Sequence, residues 1–136
     1  MSQQNETFFT TTGCMDGRVQ GVVAEFGRKK FSAIYPDTIT EAGLVGKLTE
    51  DSPDQGLLGS IKNKLVISLE KHHSKGIVVH SHQECAGNPV EDEKHRDDIR
   101  KSIQVIKSLI NSSVPVIGVF IKRSSQDASK WEIEEV

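Results

Sequence analysis

Hydrophobic and polar positions change their period several times along the chain. Thr7-Phe8-Phe9-Thr10-Thr11-Thr12 is β-branched and aromatic and ends at Gly13, which predicts a first strand. Val19, Val22, Val23 and Phe26 then fall at i, i+3, i+4 and i+7, the stripe of a short helix that Gly27 is placed to stop. Phe31–Tyr35 reads as a second strand closed by Pro36-Asp37. Residues 43–56 are mixed and polar, with a turn signal at Asp51-Ser52-Pro53-Asp54, and predict a long loop with room for one helical turn. Leu58, Ile61, Leu65 and Leu69 mark the next helix, and Gly76–His80 a short buried strand. Beyond Pro89 the acidic run Glu91-Asp92-Glu93 suits the positive end of a helix dipole, and Ile99, Ile103, Ile106 and Ile110 give that helix its apolar face. Val114–Ile121 predicts a fourth strand, and Trp131–Glu134 alternates as an edge strand after a turn at Ser124–Asp127.

The resulting order is β-α-β-α-β-α-β-β. Strands that alternate with helices imply the α/β class: a mainly parallel sheet flanked by helices on both faces, here with a C-terminal edge strand. In such sheets ligands sit beyond the carboxyl ends of the strands, near a switch in strand order.

Composition narrows the picture. The chain has 136 residues, which fits one domain over 1–136 and falls well short of a (β/α)₈ barrel. A net charge of −2 gives no reason to expect nucleic acid or an anionic membrane as partner. No apolar run approaches the length of a spanning helix, and Met1–Glu6 lacks the basic and apolar regions of a signal peptide, so a cytoplasmic protein is expected. In a reducing compartment the two cysteines read as free thiols or metal ligands before a bridge.

Three candidate metal ligands fall where the strand-end rule wants them. Cys14 follows strand one, and His82 and Cys85 follow strand three. One imidazole and two thiolates form a zinc set whose fourth position can stay open for catalysis. Next to Cys14, Asp16 and Arg18 can pair, which keeps the aspartate ionised. Such a carboxylate could accept a hydrogen bond from a zinc-bound hydroxide, or become the fourth ligand and close the site. The plainer alternatives are two buried structural thiols and a surface ion pair. His80, which shares a face with His82, is a rival ligand. His72, His73 and His95 read as residues of solvated helix faces.

Cys14-Met15-Asp16-Gly17-Arg18 resembles the C-x-D-x-R motif of β-class carbonic anhydrases, and His82-Gln83-Glu84-Cys85 resembles their H-x-x-C motif. Ile77-Val78-Val79 is similar to the strand that leads into the second motif, and Ala42-Gly43 to the end of that class's R-N-A-G segment. The chain departs from the pattern at Thr40-Glu41, where the class has Arg-Asn, and after Cys85, where Ala86 replaces an immediate glycine. The resemblance implies a small, divergent member with Zn²⁺ held by Cys14, His82 and Cys85 and an Asp16–Arg18 catalytic dyad. It implies reversible hydration of carbon dioxide to bicarbonate by zinc-bound hydroxide, in a homodimer. His80, His95 and Glu41 are candidate proton carriers by composition alone. Glu41 otherwise reads as a loop carboxylate or part of the pocket lining, and Gly87 with Asn88-Pro89 either as a plain turn or as amides offered to an anion. Two further functions fit the same residues: a zinc hydrolase of another small electrophile (carbonyl sulfide, carbon disulfide, an ester or an amide), and a non-catalytic zinc-binding protein.

Overall fold

A computed structural model describes residues 5–136; the first four residues of the polar start, Met1–Gln4, lie outside it. Five strands form one sheet in the order β2-β1-β3-β4-β5. The strands are β1 (Phe8–Gly13), β2 (Tyr35–Thr40), β3 (Ile77–His82), β4 (Val116–Arg123) and β5 (Trp131–Glu135). The first four are mutually parallel, and β5 runs antiparallel to β4. The helices are α1 (Gly17–Phe31), α2 (Leu44–Leu48), α3 (Gln55–Val66) and α4 (Asp92–Leu109), with a π-helical turn at Ile67–Lys71 continuing α3.

Both faces of the sheet are covered, as its apolar pattern demands, but unequally. Ile77, Val79 and Phe120 meet the helical residues Leu44, Leu48, Ile61, Leu65, Ile99 and Ile106 in the larger core. Val78, Val119 and Ile121 meet Val19 and Val23 of α1 on the other side. The side chains of β3 therefore alternate between an α4 face and an α1 face, and all six are buried. α4 settles closely on β4 because Gly118 lies under it, where a Cβ would press on Ile99 and Ile103.

β3 and β4 run past His80 and Ile121 to His82 and Arg123, and the boundary between α1 and β2 differs most from the sequence pattern. Gly27 does not stop α1. It is the point where the helix touches the Phe9 ring, and a Cβ there would collide with that ring. The helix runs on to Phe31, with Arg28, Lys29 and Lys30 at its negative end, and stops where Ser32 turns left-handed at φ 51°. Phe31 is thus a packing residue against Phe9 and Gly76, and the second strand is Tyr35–Thr40, not Phe31–Tyr35. Pro36 is tolerated because β2 is an edge. Tyr35 donates its N–H inward to Thr7, so alternation turns the position of Pro36 outward, where a missing N–H breaks no ladder bond. The predicted long loop contains the five-residue helix α2, whose Leu44, Val45 and Leu48 are buried, and its last residue but two, Asp54, caps α3 by accepting the Leu57 N–H. Among the described residues no helix is long and apolar enough to cross a membrane.

Candidate metal centre

Strands β1 and β3 are neighbours, and the chain leaves their carboxyl ends toward opposite faces, into α1 and α4. The gap this opens brings Cys14, just past β1, to His82, the last residue of β3, and to Cys85 in the turn that follows. The donor atoms of these three side chains lie within 4.8 Å of one another, and the two sulfurs are 3.7 Å apart without a disulfide. All three residues are buried.

The donors are prepared for a cation. His82 Nδ1 is 2.6 Å from the Gln83 carbonyl oxygen, to which it donates, and this leaves the lone pair on Nε2. That Nε2 is buried and has no hydrogen-bond partner. Burial works against ionisation of Cys14, but the His82 ring and the Gly43 N–H, 3.5 Å from its sulfur, outweigh it and bring the thiol down to about 6. Cys85 is pushed up, first by burial and then by the neighbouring Cys14 sulfur, although the amides of Gly87 and Asn88 oppose this. One sulfur is therefore ready as a thiolate, and the second resists until a positive charge arrives. Tetrahedral zinc, with Zn–S bonds of about 2.3 Å, spans two sulfurs at about 3.8 Å, which matches the spacing here.

Backbone packing sets this arrangement. Ala42-Gly43 and Gly87 pass backbone against backbone. A Cβ on Gly87 would come 2.7 Å from the Ala42 carbonyl carbon, and Gly43 needs its left-handed φ of 60° to present its N–H to Cys14. Gln20 ties the loop after β1 from above by donating to the carbonyls of Cys14 at 2.8 Å and Asp16 at 2.9 Å. Asp98, buried on α4, receives Asn88 and Thr49 and pairs with Lys94, so it fastens the loop after Cys85 to its helix and to α2. The Gly87-Asn88 segment is accordingly an anchored turn.

Asp16 and Arg18 stand at the rim. Asp16 caps α1 by accepting the Arg18 N–H at 2.9 Å, and the Arg18 guanidinium grips the same carboxylate at 2.7 Å. These contacts, the Arg18 side chain first, hold the Asp16 carboxyl down at about 2. Asp16 Oδ2 lies 3.8 Å from His82 Nε2.

The other histidines separate by environment. His80 shares the α1 face with His82 but lies wholly buried against Gly13, where burial pushes it down to about 3. It lies outside the cluster of donor atoms and has no solvent access for carrying protons. His95 is not on a solvated face. It is buried under α4, hydrogen-bonded at 2.6 Å to Ser81, and its pKa is lowered by burial. His72 is half-exposed and bound to Asp37 at 2.8 Å, and His73 is exposed. Of the three candidate carriers only Glu41 reaches solvent, where it faces Lys47. Sequence reasoning missed Gln20, Glu84, Arg123 and Trp131. Glu84 is a silent position within H-x-x-C, and the others have ordinary surface character until the fold brings them to the rim.

The fold and this sulfur–imidazole cluster define an α/β protein with a metal-capable Cys-His-Cys centre at the carboxyl ends of its central strands. Its architecture is that of β-carbonic anhydrases. The isoform I enzyme of the protozoan Trichomonas vaginalis superimposes with a TM-score of 0.54 at 16% identity, over 95% of this chain and 82% of that one. The β-carbonic anhydrase CafA of the fungal pathogen Aspergillus fumigatus gives 0.58 at 12% identity, over 97% of this chain and 76% of that one. No curated protein matches the chain in sequence. The chain belongs to the family described as "Putative carbonic anhydrase", whose model it matches over residues 4–136.

Proposed function

We propose that this chain is a single-domain zinc enzyme that interconverts carbon dioxide and bicarbonate, CO₂ + H₂O ⇌ HCO₃⁻ + H⁺. The observation that carries the reading is the unpartnered, buried Nε2 of His82 facing two sulfurs beside an aspartate locked to an arginine. Cys14, His82 and Cys85 would hold the ion. Zinc in such a site is a Lewis acid that makes water acidic enough to serve as a nucleophile near neutral pH.

The protein residues do the rest. Cys14 and Cys85 as thiolates balance the cation's charge, and the Gln83 carbonyl fixes the His82 tautomer. Asp16, kept ionised by Arg18, is an acceptor that can take a hydrogen bond from the nucleophile and so orient it. It cannot serve as a proton store near pH 7, because its carboxyl stays deprotonated. Arg18 fixes the direction of that acceptor through both its Nε and Nη2 groups. The released proton must leave by solvent or by an exposed group such as Glu41. A homodimer belongs to the same proposal and rests on the family resemblance; a monomer by light scattering at micromolar concentration would remove the dimer.

The test is metal analysis of the isolated protein with stopped-flow CO₂ hydration. One zinc per chain and hydration that disappears on chelation are expected. Zinc without hydration, but with turnover of carbonyl sulfide or a small ester, would move the protein to another hydrolytic substrate.

A further inference from the structure

Beside the metal centre is a group of side chains that the chemistry above does not use. Glu84, the residue before Cys85, has a left-handed backbone at φ 58°, which a glutamate adopts only when its surroundings hold it there. Arg123, at the end of β4, grips the Glu84 carboxylate with a two-pronged contact, Nε to Oε2 at 3.0 Å and Nη2 to Oε1 at 3.1 Å. The Arg123 guanidinium lies over the Trp131 ring at 4.0 Å, and Arg18 lies over the same ring at 5.3 Å. Arg18 in turn donates to the Glu84 carbonyl at 3.2 Å and to its Oε1 at 3.4 Å. Arg18 is thus held from both sides, by Asp16 on one and by Glu84 and Trp131 on the other.

The arrangement is directional. Arg18 is 43% exposed and rises from the first turn of α1, and an ion pair in that position would ordinarily exchange among rotamers. Here two donors on Nη1 and Nη2 are already engaged by Glu84, so the remaining Nε and Nη2 edge is presented to Asp16. The Glu84 carbonyl can receive Arg18 only because the left-handed turn points it there. The turn itself is clamped by Arg123, whose own backbone N–H donates at 2.8 Å to the side chain of the adjacent Gln83. Arg123 and Trp131 face each other in the β4–β5 register, so the clamp is built from the antiparallel hairpin at the end of the chain.

Resting on the proposed function, we propose that Glu84, clamped by an Arg123 that stacks on Trp131, is a positioning residue that keeps Arg18 locked onto Asp16, so that the carboxylate does not swing the short distance toward His82 Nε2. The C-terminal hairpin therefore acts on the reaction through the arginine of the dyad, without touching the donor atoms.

The test uses Arg123→Met and Glu84→Gln in the full chain, each with and without Arg18→Lys. The Nε–H resonance of Arg18, assigned by its loss in Arg18→Lys, reports the lock with or without zinc. Its exchange with water should rise at least about tenfold in both clamp variants, with zinc content and melting cooperativity unchanged. In the zinc-loaded enzyme, kcat should fall about tenfold with KM within about twofold, and the same clamp substitutions should cost less than about twofold once Arg18 is lysine. Equal losses in both backgrounds, or an undisturbed Arg18 resonance, overturn the proposal. If the parent chain binds no zinc or hydrates no CO₂, the functional reading fails instead, and the resonance still decides whether the clamp exists.

Discussion

Cys14 shows how far a single residue depends on its neighbours. Its thiol is lowered by a histidine from another strand and by an amide from a glycine turn, against the cost of burial. Replacing Cys14 with serine should abolish stoichiometric zinc, as measured by elemental analysis of the dialysed protein. Asp16→Asn keeps all three donors, and should retain zinc while lowering CO₂ hydration by roughly 100-fold or more; undiminished hydration would take Asp16 out of the mechanism. His95 makes a separate point about acid stability. Its folded pKa lies below the ordinary value of 6.5 because burial disfavours the imidazolium. Below that value the unfolded chain takes up a proton that the folded chain does not, so stability falls as pH drops, by up to about 1.4 kcal/mol per pH unit for one such group. His80, held at about 3, acts in the same direction over a wider range. Urea midpoints of metal-free protein between pH 8 and 5 should therefore fall less steeply for His95→Gln than for wild type; identical slopes would mean that His95 protonates freely in the fold. Asp16, lowered from 3.8 to about 2, contributes stability that is lost only in more acidic solution and does not interfere with this measurement.

At the scale of elements, α1 carries the clearest conflict between local preference and packing. Alanine is intrinsically better than glycine within a helix by about 1 kcal/mol. Gly27, however, lies against the Phe9 ring with no room for a methyl group. Overpacking of this kind costs about 1–3 kcal/mol, so Gly27→Ala should be destabilising on balance in denaturant titration. A stabilised variant would show that the helix and β1 have slack between them. β3 presents the opposite case, since every side chain is buried and each face has its own helix. A one-residue slip there would exchange His82 with its neighbours and destroy the centre together with the core.

For the whole molecule, the centre joins the ends of β1 and β3, which are far apart in sequence and held elsewhere by sheet hydrogen bonds and by packing on α1 and α4. An ion held there binds the folded state only, so it should stabilise the fold by mass action. Chelation should lower the melting temperature by several degrees, reversibly on addition of zinc; an unchanged melt would mean that the donors do not capture the ion. The loops around the centre interlock at Gly43 and Gly87, and substitution of either by alanine should lower metal affinity as well as stability.

The sequence by itself determined the β-α alternation, the mainly parallel sheet and the buried third strand, and it marked Cys14, His82 and Cys85 as candidate donors. These follow from local periodicity and from the position of metal-ligating residue types at the ends of predicted strands. His82 and Cys85 could be marked as candidates because a strand end and a turn are local features, and Asp16 with Arg18 could be paired because they lie two residues apart. The end of α1 and the start of β2 were not legible. Gly27 and Phe31 take their roles from Phe9 and Gly76, which lie elsewhere in the chain. His95 looked solvated for the same reason: α4 faces β4 and Ser81, and that face is fixed by sheet order. Only the tertiary structure decided that Gly43 bonds to a sulfur, that Gln20 spans two carbonyls, and that Arg123, stacked on Trp131, closes on Glu84. Each of these contacts joins distant segments, and a contact between distant segments leaves no periodic trace in the chain that makes it.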